Sequence, residues 1–207
     1  MYIPPSFEET DLETLQGLIE NYSFGLLVTQ ADGTPVATHI PFLLERGAGP
    51  HGTLVCHLAR ANPQWHDAQG KPALAIFSGP HAYISPTWYA AEHVVPTWNY
   101  VAVHAYGSLQ VIHAPAEIRS IVAASVRQFE QTQPSPWELP ADGEYLDKLL
   151  PQIVGIRLEI ERLEGKWKLS QNHSPERQAR VIDELRNRGD ERAEAVADLM
   201  QERLKNR

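Results

Sequence analysis

Four consecutive side chains in the run Val94-Val95-Pro96-Thr97-Trp98-Asn99-Tyr100 carry a hydroxyl, an indole, a carboxamide and a phenol. Aromatic faces beside short hydrogen-bonding groups suit a flat heteroaromatic ligand with polar ring edges. A second run, Gly165-Lys166-Trp167-Lys168-Leu169-Ser170-Gln171-Asn172, adds two ammonium groups able to neutralise a phosphate or an anionic ring. A third, His57-Leu58-Ala59-Arg60-Ala61-Asn62-Pro63-Gln64, sets Arg60 and Asn62 where a strand gives way to a helix start. A guanidinium together with the amide hydrogens of a helix N-terminus makes a good phosphate cradle. Each run also has a plain structural reading: a core aromatic cluster, a solvated charged turn anchored by Trp167, and a surface arginine beside an ordinary cap. Together the three suggest a small flavin-type site.

The elements that must position these residues follow from periodicity and punctuation. Thr10-Asp11-Leu12-Glu13 has capping-box spacing, and Leu12, Leu15, Leu18 and Ile19 follow at helical intervals, which predicts a helix over about 11–21. Residues 24–30 read as a buried strand closed by the hairpin signal Asp32-Gly33, and 36–45 as its return. A third strand, 53–58, precedes a short helix capped by Asn62, with Pro63 at its first position, ending near Gly70. Strands over 73–78 and 82–85 flank an expected Gly79-Pro80 turn. Residues 86–96 read as a loop, and 98–112 as a long strand with Gly107 as a candidate bulge. Pro115 to Gln131 reads as a helix presenting Ile118, Ile121, Val122 and Phe129, and 132–143, with three prolines, as a loop. Val154, Ile156, Leu158 and Ile160 alternate with polar residues or glycine, the pattern of a half-buried strand. Ser174-Pro175-Glu176 and Asp190 open two charged helices. Mostly sequential strands in the middle of the chain predict an α+β fold built on an antiparallel barrel closing on itself.

Composition narrows the function classes. The 207 residues hold 18 Lys+Arg and 26 Asp+Glu, a net charge of −8. Residues 177–207 contribute eight basic and seven acidic residues, so positions 1–176 carry ten and nineteen, a net of −9. An acidic body repels phosphate backbones, and nothing forms a basic stripe. No apolar run is long enough to span a bilayer, so no membrane partner is expected. The N-terminus shows no signal-peptide pattern, and the single Cys56 fits a reducing, cytoplasmic setting. Gly47-Ala48-Gly49-Pro50-His51-Gly52 matches G-x-G-x-x-G, but Pro50 interrupts it and a β-rich stretch follows, so it reads as a hairpin loop. The nine histidines show no zinc spacing, Cys56 reads as a packed thiol, and no serine sits in a nucleophile elbow.

Several ordered blocks go beyond generic patterning. They are Met1 to Pro4 with Phe7-Glu8-Glu9, His39-Ile40-Pro41-Phe42, His57 to Gln64, Gly79 to Pro86, Val94 to Tyr100, His104 to Gly107 and Glu164 to Asn172. In these blocks the chain resembles the PaiB family, described as FMN-binding negative transcriptional regulators. The resemblance runs from residue 1 to about 200. It implies a split β-barrel like that of pyridoxamine-phosphate oxidases, with peripheral helices and a C-terminal helical pair. On that basis residues 1–172 form the FMN-binding domain and 173–207 a helical extension on or near it. It further implies a homodimer with FMN at the subunit interface. His57, Arg60 and Asn62 then fall in the phosphate-binding region, and Ser85, Thr97, Trp98 and Asn99 near the ring or ribityl chain. Lys166, Trp167 and Lys168, within the run to Asn172, close the pocket from the partner subunit. Similar chains carry a longer loop before the Val94 block; here 88–94 is several residues shorter, which implies a more open site.

Three functional readings follow. The first is a flavin-binding regulator that contacts DNA directly or through a partner, with Arg177, Arg180, Arg186 and Arg188 as the candidate contact residues. The second is an FMN-dependent oxidoreductase acting on a small molecule, consistent with the lack of an acid–base pair or nucleophile, since the flavin carries the electron chemistry. The third is a haem-binding or sensing barrel using His39, His57, His81 or His104 as axial ligand.

Overall fold

Leu15, Leu18 and Ile19 form a buried stripe on α1 (Leu12–Asn21) in the computed structural model, which describes residues 1–140 and 144–205. The helix is capped by Asp11, whose carboxylate accepts from Thr14 N at 2.8 Å, and not by Thr10. Strand β2 (Phe24–Ala31) turns through Asp32 and Gly33, at φ 50° and 76°, into β3 (Thr34–Pro41). Two consecutive positive φ values are the geometry of a tight hairpin whose twist matches its strands. The predicted return strand is broken at Phe42, which is buried, and resumes as β4 (Leu43–Glu45). The glycine-rich 46–52 is the turn into β5 (Thr53–Ala59), with Gly49 and Gly52 at φ 84° and 94°. No helix follows that glycine pattern, so the hairpin reading holds. Cys56 on β5 is buried, which pushes its thiol well above the ordinary range.

Two expectations change at the next elements. The predicted helix after Asn62 is only a 3-10 turn, Pro63–Trp65. The predicted Gly79-Pro80 turn does not form, because β6 runs unbroken from Pro72 to Ile84. A proline pushes the residue before it into extended backbone, so Gly-Pro can continue a strand as readily as end one. Strand β7 (Thr97–Ile112) then passes Gly107. A Cβ there would sit 1.9 Å from the carbonyl oxygen of Glu159, so close approach of a neighbouring backbone accounts for this glycine.

Helix α2 (Pro115–Glu130) buries Ile118 and Ile121, while Phe129, on the same face but at the last turn, is 40% exposed. The predicted 132–143 loop is irregular as far as Pro140; its last three residues lie outside the described residues. After α3 (Glu144–Leu149), β8 (Ile153–Lys168) runs on eight residues past the predicted alternation, whose Val154, Ile156, Leu158 and Ile160 are all buried. A two-residue strand β1 (Glu8–Glu9), which periodicity could not show, pairs with Lys166 and Gly165 of β8. Helices α4 (Pro175–Asn187) and α5 (Glu191–Lys205) complete the chain.

The strand order is β3-β2-β6-β7-β8-β5-β4, with β1 on β8. The β2–β3, β2–β6, β4–β5 and β5–β8 pairings are antiparallel. The ladder is an open path from β3 to β4 among the described residues, so the expected closure is not made by backbone pairing. The chain is α+β and falls into two compact units. One comprises Gln16–Phe77 and His104–Leu163; its core joins Val55 and Ile112 to Ile118, Ile121, Leu146 and Leu150. The other comprises Met1–Leu15, Ser78–Val103 and Glu164–Arg207; in it Val181, Ile182 and Leu185 of α4 and Ala193, Val196, Ala197 and Met200 of α5 are buried.

Candidate functional site

The ten residues expected at a site fall in both units. His57, Arg60 and Asn62 belong to the first. Arg60 Nε donates to Pro151 O at 2.7 Å and Nη2 to Ile153 O at 2.8 Å. A guanidinium has five N–H donors, so these two carbonyls fix its plane and leave three. Asn62 Oδ1 accepts from Gln64 N at 2.9 Å, and its Nδ2 donates to Thr38 Oγ1 at 3.0 Å. The cap is therefore real, but it serves one 3-10 turn rather than a helix with a dipole to offer. Gln64, which sequence reasoning passed over, is 7% exposed and donates to Leu27 O at 3.0 Å and Val36 O at 3.3 Å. This amide fastens the turn to β2 and β3. His57 is half-buried on β5, and burial lowers its pKa.

Ser85, Thr97, Trp98, Asn99, Lys166, Trp167 and Lys168 all lie in the second unit. Lys168 brings three of them together: its Nζ donates to Thr97 Oγ1 and, at 2.7 Å, to Trp98 O. Trp98 is 53% exposed. Tyr83 meets its indole edge-on at 5.9 Å between centroids, and His81 is tilted against it at 6.3 Å. Lys166, 8% exposed, donates to Tyr2 O at 3.0 Å and stands 5.2 Å from the centroid of Tyr100. Burial, and then the charge of Lys166, lower the pKa of Lys168. No carboxylate pairs with either lysine among the described residues.

The remaining residues point elsewhere. Trp167 is buried. Ser85 caps the 3-10 turn Pro86–Tyr89, its Oγ accepting from Thr87 N at 3.3 Å. That turn leads into the short loop, which contains two non-glycine residues at positive φ, Ala90 (46°) and His93 (59°). Asn99 is fully buried, with Nδ2 donating to Ser170 Oγ at 3.0 Å and to Met200 Sδ at 3.3 Å. Tyr89 OH shares a 3.0 Å hydrogen bond with the same hydroxyl, and its ring stacks on His173 at 4.2 Å. Tyr89 and Met200 carried no sequence signal for this role, because long-range pairing of buried polar atoms leaves no local spacing.

The Lys168–Trp98 face can accept a planar ligand on the indole and an anionic edge at the ammonium. The Lys166 ammonium is already engaged by the Tyr2 carbonyl and lies over the rings of Tyr2 and Tyr100. The family described as “Putative FMN-binding domain” matches residues 1–162. A Bacillus subtilis protein, “Protease synthase and sporulation protein PAI 2”, is 35% identical over 208 residues, spanning 99% of both chains. The chain belongs to the PaiB family. An uncharacterized protein of Emericella nidulans resembles this PaiB-family chain at 30% identity, over 98% of this chain and 97% of its own. The “FAD and Heme binding protein from Mycobacterium smegmatis” shares the fold at a TM-score of 0.61 and 20% identity, over 83% of this chain and 78% of that one. The fold is thus the α+β split barrel of flavin proteins, and the cofactor its family implies is FMN. No described helix is long and apolar enough to cross a membrane, and no cluster of three or more His, Cys, Asp or Glu among the described residues is arranged to hold a metal.

Proposed function

We propose that this PaiB-family protein binds FMN as a homodimer, with the flavin contacted by both subunits, and acts as a negative regulator of transcription. The observation that carries the flavin reading is the Lys168 ammonium, held on Thr97 Oγ1 and on the backbone carbonyl of Trp98, whose indole is half-exposed; among the described residues no carboxylate pairs with it. In this reading Trp98 stacks on the ring system, Lys168 and Lys166 stabilise negative charge, and Thr97 offers a hydroxyl. Within its own unit Arg60 offers its three remaining N–H groups to an anion, with Asn62 and His57 nearby in sequence, and Ser85 belongs with the region before the short loop. When bound, FMN supplies reversible electron chemistry; the chain's own residues bind and orient it.

The regulatory part rests on the family. The structure redirects where a DNA contact would be sought. At 100° per residue, Arg186 faces the opposite side of α4 from Arg177. Arg186 pairs with Asp198 at 3.4 Å and Arg188 with Asp190 at 2.9 Å, while Arg180 donates to Tyr89 O at 3.3 Å. Arginines already engaged in this way make a poor phosphate-binding stripe, so contact through a partner protein is the form of regulation this surface favours.

Isothermal titration of FMN into the wild type, Trp98→Ala and Lys168→Met tests the site. Each variant is expected to weaken binding at least tenfold, and equal affinities in all three would overturn the assignment. For the regulatory part, a shift of promoter DNA by cell extract that is lost without this protein, and is not reproduced by the pure protein, supports action through a partner. A shift by pure protein that is lost when the four arginines become alanine would contradict it.

A further inference from the structure

Ser170 follows β8 two residues after Lys168, and it holds an uncommon backbone conformation. Its φ is +64°, in the left-handed region that is disfavoured for a non-glycine residue. Gly33, Gly49, Gly52, Gly70 and Gly189 also take positive φ, as do the exposed Asp32, Ala90 and His93, so among the four described non-glycine residues with positive φ Ser170 is the buried one. A serine at this φ is explained by the use made of its hydroxyl. That hydroxyl is 3.0 Å from Asn99 Nδ2, 3.3 Å from Asn99 Oδ1 and 3.0 Å from Tyr89 OH. Ser170, Asn99 and Tyr89 are 3%, 0% and 1% exposed, so these bonds form away from water, where satisfied polar networks fix geometry firmly.

The position of this network matters more than its strength. Asn99 directly follows Trp98, and Ser170 lies two residues past Lys168. The Asn99–Ser170 bond therefore closes the strand ends immediately behind the pair that forms the exposed face. We propose that Ser170 is a positioning residue for the flavin site: its hydroxyl ties the end of β8, which carries Lys168, to the start of β7, which carries Thr97 and Trp98. The inference rests on the flavin reading above. Ser170 touches no exposed surface itself and acts through the register of those two strands. Through Asn99 the same tie reaches Met200 of α5, at 3.3 Å, so the C-terminal helix is anchored to the back of the site.

Ser170→Gly is the informative variant, because glycine accepts φ +64° without strain while the hydroxyl is removed. FMN affinity is measured by titration for the wild type, Ser170→Gly, Lys168→Met and the double variant. The expected result is about a tenfold loss in Ser170→Gly, equivalent to about 1.4 kcal/mol, with the double variant no weaker than Lys168→Met alone. Such non-additivity means that the two residues act through one another. Tyr89→Phe, which leaves the Asn99–Ser170 bond in place, is expected to bind within about twofold of wild type; should Ser170→Gly fail to fold, Asn99→Leu, which breaks the same bond from the β7 side, stands in with the same expected loss. Wild-type affinity in Ser170→Gly, fully additive losses, or an equal loss in Tyr89→Phe would each overturn the proposal. Failure of the wild type itself to bind FMN would overturn the flavin reading, and it appears before any variant is made.

Discussion

Replacing Asn99 separates the roles of shape, hydrogen bonding and charge at the fully buried centre of this network. Asn99→Leu keeps a similar volume and removes the bonds to Ser170 Oγ (3.0 Å) and Met200 Sδ (3.3 Å), while Ser170 retains Tyr89 OH at 3.0 Å. Two hydrogen bonds are lost, the one to sulfur weak, and Ser170 keeps a partner, a cost of about 1–2 kcal/mol. Asn99→Asp keeps the shape but turns a donor into an acceptor and buries a charge, which costs about 3 kcal/mol or more when uncompensated. The new carboxyl's pKa is raised in the folded state above its unfolded value of about 3.9. Its penalty is thus absent below about pH 4 and grows by about 1.4 kcal/mol per pH unit until the folded pKa is reached. Urea unfolding at pH 5 and pH 8, with protein concentration held fixed, reads this directly. Asn99→Leu is expected to lose a similar amount at both pH values, and Asn99→Asp considerably more at pH 8 than at pH 5. If Asn99→Asp tracks Asn99→Leu at both, the site is hydrated or open and the buried-network account is wrong.

Two further outcomes follow from the geometry. Gly107→Ala would place a Cβ 1.9 Å from a backbone oxygen and is expected to cost about 3 kcal/mol or more in thermal or urea unfolding, whereas Gly17→Ala, with open space on α1, should gain about 0.5–1 kcal/mol; similar effects from both would contradict the strand approach. Burial lowers the pKa values of His57, His104 and His173, so the unfolded chain binds their protons first; stability present above about pH 6.5 is expected to fall as pH drops through and below that value. The urea midpoint should decrease from pH 7.5 to pH 5.5, and this decrease should shrink when the three become glutamine; an unchanged midpoint would refute it.

Local signals carried the fold a long way. The alternation of Val154 to Ile160, the Asp32-Gly33 hairpin and the stripe on α1 each encode an element within a few residues, and each formed. The misreadings came where a local signal has two outcomes. Gly79-Pro80 fits both a turn and an extended strand, and pairing decided for the strand. Asn62-Pro63 begins a 3-10 turn as well as it begins a helix. The geometry of the candidate site was legible only in part. Thr97, Trp98 and Lys168 were marked by residue type and do converge, whereas Asn99 was marked and turned inward. The network of Tyr89, Ser170 and Met200 joins positions 89, 170 and 200, a separation over which sequence periodicity says nothing. Arg60 was chosen for its charge, but its orientation by the Pro151 and Ile153 carbonyls is visible only in three dimensions.

The central claim is that this chain binds FMN at the Trp98–Lys168 face. The most direct test is the visible absorption spectrum of the homogeneous wild-type protein, recorded as purified and again after FMN is added and unbound flavin is removed by gel filtration. Retention of flavin absorbance with the protein, at about one FMN per chain, and its loss in Trp98→Ala, is the result expected. A wild-type protein that emerges colourless after incubation with FMN, or a Trp98→Ala variant that retains the flavin as well as wild type, would contradict it.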